Sequence, residues 1–272
     1  MKIRFTKMHG LGNDFIVLDC RKKDVPNIAR VIKKVSDRRF GIGFDQALVL
    51  KASKKADYRM DIYNNDGTRV EMCGNGIRCL ARYIWDRNLT RKARLSIETL
   101  AGIIRPEKSG RLVRVDMGEP VFSGALIPVA KDGLIKDYPL KVKGKVFKAT
   151  CVSMGNPHCV IFVKDVDRFP VGQWGPLIEK DKFFPKKVNV EFIEVEGKGS
   201  IKMRVWERGS GETLACGTGA SAAAVVAHLQ GFTGSRCTVR LRGGDLLIEW
   251  ARDNHVYMTG PAEEVFTGEF DI

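Results

Sequence analysis

Short apolar runs separated by turn-forming residues make up most of this chain. The runs are rich in Val, Ile and aromatic residues, and the segments 65–67, 242–245 and 252–254 between them carry the Gly, Asn and Asp that tight turns favour. This pattern predicts β-hairpins. We expect strands at 2–5, 16–18, 47–50, 58–63, 94–98, 112–117, 146–153, 160–163, 190–195, 200–206, 238–241, 246–250 and 255–259.

Two segments have the pattern of a helix, and each starts just after a Cys-Gly motif. They span 76–87 and 219–230, and Gly231 is placed to end the second. The second is small and apolar on almost every side, which suits a helix enclosed by a curled sheet. The chain is therefore predicted to be an α+β protein in which each half is a barrel-like, curled antiparallel sheet around one central helix.

Matching motifs recur along the chain at a single spacing of 143 residues. Because several motifs share this spacing over most of each half, chance is a poor explanation, and we predict two homologous domains. The first comprises 1–118 plus 263–272, and the second comprises 119–262. The motifs that share the spacing are Gly12-Asn13 with Gly155-Asn156, Gln46 with Asn189, Asn64 with Glu207, and Cys73 with Cys216.

Composition excludes several classes of protein. With 272 residues, 44% of them hydrophobic and 29% charged, the chain is long and apolar enough for a real core, and no apolar run approaches the roughly 20 residues of a membrane helix. The N-terminus lacks the apolar segment of a signal peptide, so we expect a cytoplasmic protein with no membrane partner.

The net charge of +14 is unusual and would suit a nucleic-acid partner. The lysines are scattered in pairs, however, and no zinc-finger, RNP-type or basic-helix pattern gathers them into a groove. We therefore expect a solvated basic surface and no nucleic-acid binding.

The seven cysteines form no C-x-x-C pair and no zinc-type spacing with histidine, so we expect no metal site. In the cytoplasm these thiols should be reduced. Adjacent His158 and Cys159 fall on a predicted strand, where neighbours point to opposite faces, so we expect one polar and one buried side chain rather than a ligand pair.

The strongest chemical signal is the placement of Cys73 and Cys216 at the N-terminal ends of the two predicted helices. A helix N-terminus carries partial positive charge and unpaired N–H groups, so it binds anions and favours thiolate over thiol. Buried cysteines are often merely structural, but the identical placement of two of them favours a chemical role. The dinucleotide-binding pattern that Gly217, Gly219 and Ala222 imitate lacks the βαβ unit and the acidic residue of that motif.

Six longer motifs span both halves: MHGLGNDF (8–15), RFGIGFDQ (39–46), YNNDG (63–67), MCGNGIRC (72–79), MGNPH (154–158) and ERGSGETLACGTGAS (207–221). Together they resemble the diaminopimelate epimerase family over essentially the whole chain. The resemblance implies two similar eight-stranded barrels, each with a central helix. It also implies a cofactor-independent epimerisation of LL-diaminopimelate to the meso form, which serves lysine and peptidoglycan precursor synthesis.

The resemblance also assigns roles to single residues. Cys73 and Cys216 are expected to be the catalytic acid and base, with no metal or pyridoxal phosphate, in a homodimer that has Phe266 near its interface. His158 and Glu207 are expected to tune the cysteines. Substrate contacts are expected from Asn13, Gln46, Asn64, Asn156, Asn189, Glu207 and Arg208, and from the backbone amides of Gly74, Asn75, Gly217 and Thr218.

Departures from the family pattern are small, and neither touches the cysteine pair. Ser221 stands where many members have another cysteine, and Ile-Glu-Thr at 97–99 stands where Met-Glu-Thr is usual. Proline racemase-like enzymes share the two-cysteine plan but usually have histidine at the position of Asn75, and phenazine-type isomerases share the fold without the cysteine pair. A non-enzymatic amino-acid-binding protein is the alternative from a different class.

Overall fold

The computed structural model describes residues 1–71 and 73–272; Met72, in the 72–79 motif, lies outside the described residues. The chain divides into two compact units. Unit 1 comprises Met1–Val115 and Thr259–Ile272, and unit 2 comprises Asp116–Met258. No helix in the described part of the chain has both the length and the apolar character needed to cross a membrane.

The elements of the first part of the chain are β1 (Lys2–Gly10), β2 (Asn13–Asp19), α1 (Ile28–Val35), β3 (Gln46–Lys51), β4 (Tyr58–Asn64), β5 (Arg69–Val70), α2 (Gly74–Asp86), β6 (Ile97–Thr99), β7 (Gly102–Ile104), β8 (Glu107–Ser109) and β9 (Leu112–Asp116). Those of the second part are β10 (Tyr138–Val142), β11 (Lys145–Ser153), β12 (Pro157–Phe162), α3 (Val171–Glu179), β13 (Asn189–Gly197), β14 (Ser200–Glu207), β15 (Gly211–Thr213), α4 (Gly217–Leu229), β16 (Arg236–Leu241), β17 (Gly244–Trp250), β18 (Val256–Gly260) and β19 (Glu263–Asp271).

Each unit is built on one mixed sheet. In unit 1 the strand order is β19-β1-β2-β3-β4-β6-β7, with β5 beside β4, and in unit 2 it is β10-β11-β12-β13-β14-β16-β17-β18, with β15 beside β14. Two neighbouring pairs in each sheet are parallel, namely β2–β3 and β4–β6 in unit 1 and β12–β13 and β14–β16 in unit 2. The predicted α+β class with two sheet-rich domains is confirmed, whereas the expected purely antiparallel pairing is not what forms, and both sheets are open.

The strand register repeats between the units at the spacing of the sequence motifs. The parallel pair Phe15 and Gln46 in unit 1 recurs as His158 and Asn189 in unit 2. Helices α2 and α4 have 13 residues each and begin at corresponding glycines. Corresponding positions of the two units can therefore be compared residue by residue.

Helices cover both faces of each sheet, which explains why the central strands read as continuous apolar runs. On β2, Ile16 belongs to the core cluster that includes Ile32 of α1, while Phe15 lies on the α2 side, next to Gly76. In unit 2, Cys159 lies in the cluster beneath α3. Burial on both sides thus fixes which residues can reach the start of each central helix.

Three expectations need correction. The central helices begin two residues earlier than predicted, so Gly74 and Gly217 belong to their first turns, and each unit has a further helix, α1 or α3, that was not predicted. His158 and Cys159 are both fully buried, because α4 and α3 cover the two faces of β12. The polar member of that pair is therefore inside the protein, where it needs hydrogen-bond partners.

Candidate active site

Cys73 is the N-cap residue of α2. Its backbone is extended, with φ −142° and ψ 113°, and the Gly76 N–H points to its Sγ at 3.4 Å. The thiol is half-buried and lies at the positive end of the helix. This geometry suits a sulfur that carries negative charge during part of its working cycle.

Asn13 is the polar neighbour of this thiol. Its Oδ1 lies 3.8 Å from the Cys73 Sγ and accepts a hydrogen bond from the Asn75 Nδ2 at 3.3 Å. Its Nδ2 donates to the Asp45 Oδ2 at 2.9 Å. Because both ends of the amide are committed, the orientation of Asn13 is set, and three predicted site residues, Asn13, Cys73 and Asn75, meet at one point.

A charged cluster holds the Asp45 that orients Asn13. Arg38 bridges Asp14 and Asp45 at 2.7 and 2.8 Å, and the Lys7 ammonium contacts Asp14 at 2.6 Å. Burial works against ionisation of Asp14, yet the hydrogen bonds and charges of Arg38 and Lys7 hold the pKa of Asp14 at about 2. Asp45 of the 39–46 motif therefore supports the site through its ionic contact with Arg38.

Gln46 and Asn64 face each other across β3 and β4. The Gln46 Nε2 donates to the Asn64 Oδ1 at 3.0 Å, and the Asn64 Nδ2 donates to the Thr68 Oγ1 at 3.1 Å. Gln46 lies two residues before Leu48, which contacts the start of α2. Both amides are thus on the strand end nearest the Cys73 helix terminus.

Arg78 is a buried site residue that the sequence analysis did not identify. Its side chain is fully buried, and it donates to the carbonyl oxygens of Gly74 at 3.3 Å and Pro261 at 3.1 Å. A methyl group added at Gly10 would lie 3.1 Å from its Nη2, so the glycine makes room for it. Burial lowers the pKa of Arg78. The sequence does carry a signal for Arg78, namely an arginine on an otherwise apolar face of the predicted helix.

Cys216 is the N-cap residue of α4 and is more deeply buried than Cys73. Its Sγ lies 3.5 Å from the Thr218 Oγ1. Burial, and after it the charges of Glu207 and Glu191, raise the pKa of the Cys216 thiol well above its ordinary value, and the Thr218 hydroxyl and Gly219 N–H only partly offset this. This setting favours the protonated thiol of Cys216 over its thiolate.

The predicted charged contacts cluster at the end of β14. The Arg208 N–H donates to the Asn189 Oδ1 at 2.9 Å, and the Asn189 Nδ2 donates to the Pro157 carbonyl at 2.9 Å. The Glu207 Oε1 accepts a hydrogen bond from the Thr213 hydroxyl at 2.5 Å. These contacts bring Asn189, Glu207 and Arg208 together in unit 2.

His158 is held from both sides. Its Nδ1 lies 2.7 Å from the Glu191 Oε1, and its Nε2 lies 2.8 Å from the Asn156 Oδ1. Asn156 and His158 were both predicted site residues, but the fully buried Glu191 was not. An acidic residue within a strand reads as solvent-facing, so only the packing of α4 on β13 reveals it.

Solved structures of other proteins share this fold. A phenazine biosynthesis protein of the PhzF family from Enterococcus faecalis matches with a TM-score of 0.75 at 14% identity, over 100% of both chains. A probable proline racemase from Agrobacterium radiobacter matches with a TM-score of 0.71 at 15% identity, over 99% of this chain and 93% of the other. At such identities the likeness shows the fold alone.

Comparison with sequence relatives identifies the family. The family model described as diaminopimelate epimerase matches residues 5–123 and 150–265. A diaminopimelate epimerase from Acetivibrio thermocellus is 52% identical over 99% of both chains, and one from Pelotomaculum thermopropionicum is 53% identical over 98% of this chain and 99% of its own. The chain belongs to the diaminopimelate epimerase family.

Proposed function

We propose that this protein interconverts LL-diaminopimelate and meso-diaminopimelate without a cofactor, in lysine and peptidoglycan precursor synthesis. The observation that carries this proposal is the matched placement of Cys73 and Cys216, each the N-cap of the central helix of its unit, in a member of this family. Inversion of a stereocentre needs one group that removes the α-proton and another that returns a proton to the opposite face. We assign these two tasks to the two thiols.

The helix N-termini explain how the intermediate is stabilised. Removal of an α-proton moves negative charge onto the oxygens of the adjacent carboxylate, and N–H groups that already point at those oxygens stabilise that charge. The first turns of α2 and α4 offer such groups. We assign the carboxylate to the backbone amides of Gly74, Asn75, Gly217 and Thr218.

One thiol must start as thiolate and the other as thiol. We assign the proton-donor role in the resting protein to Cys216, because its buried setting raises its pKa. The half-buried Cys73, with the Gly76 N–H directed at its sulfur, then takes the part of the base. In the reverse reaction the roles exchange.

The remaining polar groups exceed the needs of one α-amino acid. We assign the contacts with the substrate, including those with a second amino-acid end, to a set that combines amides with one carboxylate and one guanidinium. Both charged and amide groups can bind an ammonium and a carboxylate at fixed positions. The members of this set are Asn13, Gln46, Asn64, Asn156, Asn189, Glu207 and Arg208.

Incubation of the full chain with single stereoisomers, followed by chiral separation of the products, tests this function. LL-diaminopimelate is expected to give the meso form, and proline and alanine are expected to remain unchanged. Turnover of proline at a comparable rate would indicate a racemase instead. Binding of diaminopimelate without any product would indicate an amino-acid-binding protein.

We further propose that the chain consists of two homologous domains, 1–118 plus 263–272 and 119–262, and that it works in the cytoplasm as a homodimer without nucleic acid. Phe266 supports the dimer, because it packs edge-on against Phe5 yet remains 47% exposed on β19, at the edge of its sheet. Sedimentation at micromolar concentration should show a dimer, and a stable monomer would contradict this.

A further inference from the structure

The two cysteine-bearing helices begin against different neighbours in the two units. A methyl group added at Gly76 of α2 would lie 2.9 Å from the Leu48 Cδ2 and 3.4 Å from the Phe15 Cε1. A methyl group added at the corresponding Gly219 of α4 would lie 2.8 Å from the Glu191 Oε1 and 3.3 Å from the Cys216 Sγ. A carboxylate thus lies beside Cys216 where a leucine lies in unit 1.

The two units differ at a second corresponding position next to this one. The strand register relates Phe15 to His158, and the 143-residue spacing relates Leu48 to Glu191. An apolar pair therefore backs the start of α2, and a fully buried His158–Glu191 pair backs the start of α4. Because well-packed apolar residues of similar volume are often at least as stabilising as a buried ionic pair, stability alone does not explain the charged version.

The hydrogen bonds of the pair define where its protons are. The Asn156 Oδ1 can only accept, so the His158 Nε2 that faces it at 2.8 Å carries a proton. A second proton is shared between the His158 Nδ1 and the Glu191 Oε1, 2.7 Å apart. The amide oxygen of Asn156 is then occupied, and its Nδ2 is left to donate to a ligand carboxylate. Glu191 is thus connected to a proposed substrate contact by a chain of two hydrogen bonds.

We propose that Glu191 is a positioning residue for the reaction: through His158 it fixes the amide of Asn156, and as a buried carboxylate beside Cys216 it disfavours the thiolate of that cysteine. The proposal rests on the proposed function and adds a residue to it. It makes the two thiols chemically unequal before any substrate binds, with a charged pair behind Cys216 and an apolar pair behind Cys73.

The charges around Cys216 support this assignment. The titratable groups that face it are Glu207 on β14 and Glu191 on β13, and His158 on β12 is bonded to the latter. Both carboxylates raise the pKa of Cys216, in addition to the larger effect of burial. Burial also raises the pKa of Glu191, which His158 partly offsets.

The first experiment follows the ionisation of the thiols directly in the full chain. Cysteine labelled with carbon-13 at Cβ reports thiolate formation by NMR, and comparison with Cys73→Ala and Cys216→Ala assigns the two signals. Glu191→Leu, which introduces the residue of the corresponding position 48, is expected to lower the titration midpoint of Cys216 by about one pH unit and leave Cys73 unchanged. An unchanged Cys216 midpoint would overturn the proposal.

Phe192→Leu is the matched control, because Phe192 neighbours Glu191 on β13 but belongs to the core cluster beneath α3. It should destabilise unit 2 without moving either midpoint. If Glu191→Leu unfolds the chain, combining it with His158→Phe rebuilds the apolar pair of unit 1, and the same shift of Cys216 is expected. This readout needs no substrate, so it remains decisive even if no epimerase activity is found.

The second experiment measures the link to Asn156 by kinetics. Glu191→Leu is expected to raise KM for diaminopimelate about tenfold, whereas Glu191→Gln, which can still hydrogen-bond the His158 Nδ1, should restore most of that loss. Adding His158→Phe to Glu191→Leu should cause little further increase in KM, because both substitutions break the same chain of hydrogen bonds to Asn156. Additive effects of the two substitutions would show that Glu191 does not act through His158.

Discussion

Arg78 and Ser221 occupy the same position of the two central helices, and each donates a hydrogen bond to the carbonyl of the first residue of its helix. The Arg78 Nη1 lies 3.3 Å from the Gly74 oxygen, and the Ser221 Oγ lies 3.0 Å from the Gly217 oxygen. Both side chains are fully buried. The helix starts that carry the two cysteines are thus supported from within, by a long cation in unit 1 and by a short hydroxyl in unit 2.

Arg78 should contribute more to stability than Ser221. Arg78→Met removes the charged donor that also holds the Pro261 carbonyl at 3.1 Å, so we expect the free energy of unfolding to fall by about 2 kcal/mol. Ser221→Ala removes one neutral hydrogen bond and should cost less than about 1 kcal/mol. Urea unfolding of both variants measures the difference, and equal losses would contradict the argument.

The two catalytic assignments predict that Cys73 and Cys216 are essential for activity and that cysteines elsewhere in the chain are not. Cys73→Ala and Cys216→Ala should each reduce the rate of epimerisation by at least about 10³-fold, because each deletes one of two required proton carriers. Cys20→Ala, Cys151→Ala and Cys237→Ala are the matched controls and should retain most of the activity. Initial rates with LL-diaminopimelate test this, and full activity without Cys73 would refute the two-thiol assignment.

The sequence alone was sufficient to predict the fold class and the paired cysteines, because both depend on local pattern or on motifs that recur. The direction of strand pairing was not predicted, since the continuous apolar run of β2 indicates burial on both faces but does not record that β3 runs parallel to it. Helix α3 was missed because Gly175 and Pro176 interrupt its pattern. Glu191 and Arg78 were missed because their burial depends on how a helix packs on a distant strand.

The Asp14 cluster gives a pH-dependent prediction. The pKa of Asp14 is about 2 in the folded protein and about 4 in an unfolded chain, so its ionic contacts stabilise the fold above pH 4 and are lost as the pH falls through 2. Asp14→Asn should therefore cost about 1–2 kcal/mol at pH 7, after allowance for solvent screening, and less than about 0.5 kcal/mol at pH 2, where the carboxyl group is half protonated. Urea unfolding at both pH values measures this. The exposed Asp132→Asn serves as the control and should have no effect at either pH.

The two-thiol mechanism also predicts where hydrogen isotopes go. The thiol that protonates the intermediate is not the one that removed the proton, and thiol protons exchange with water. In deuterated water, meso-diaminopimelate formed from the LL isomer should therefore carry deuterium at the inverted centre from the first turnovers, while the remaining substrate stays nearly unlabelled. Mass spectrometry of both isomers at low conversion measures the two labels.

A mechanism with one base predicts a different result. A single group that removed the proton and returned it to the other face would transfer part of the original hydrogen to the product, so early product would be incompletely labelled. The Cys216→Ala variant separates the cases further. In this variant Cys73 can still act on the isomer whose α-hydrogen points towards it, removing that hydrogen and returning one from solvent. The variant should therefore exchange the α-hydrogen of one isomer without forming the other. Exchange of both isomers at equal rates in that variant would show that Cys73 reaches both faces of the substrate, and the assignment of separate acid and base thiols would then be wrong.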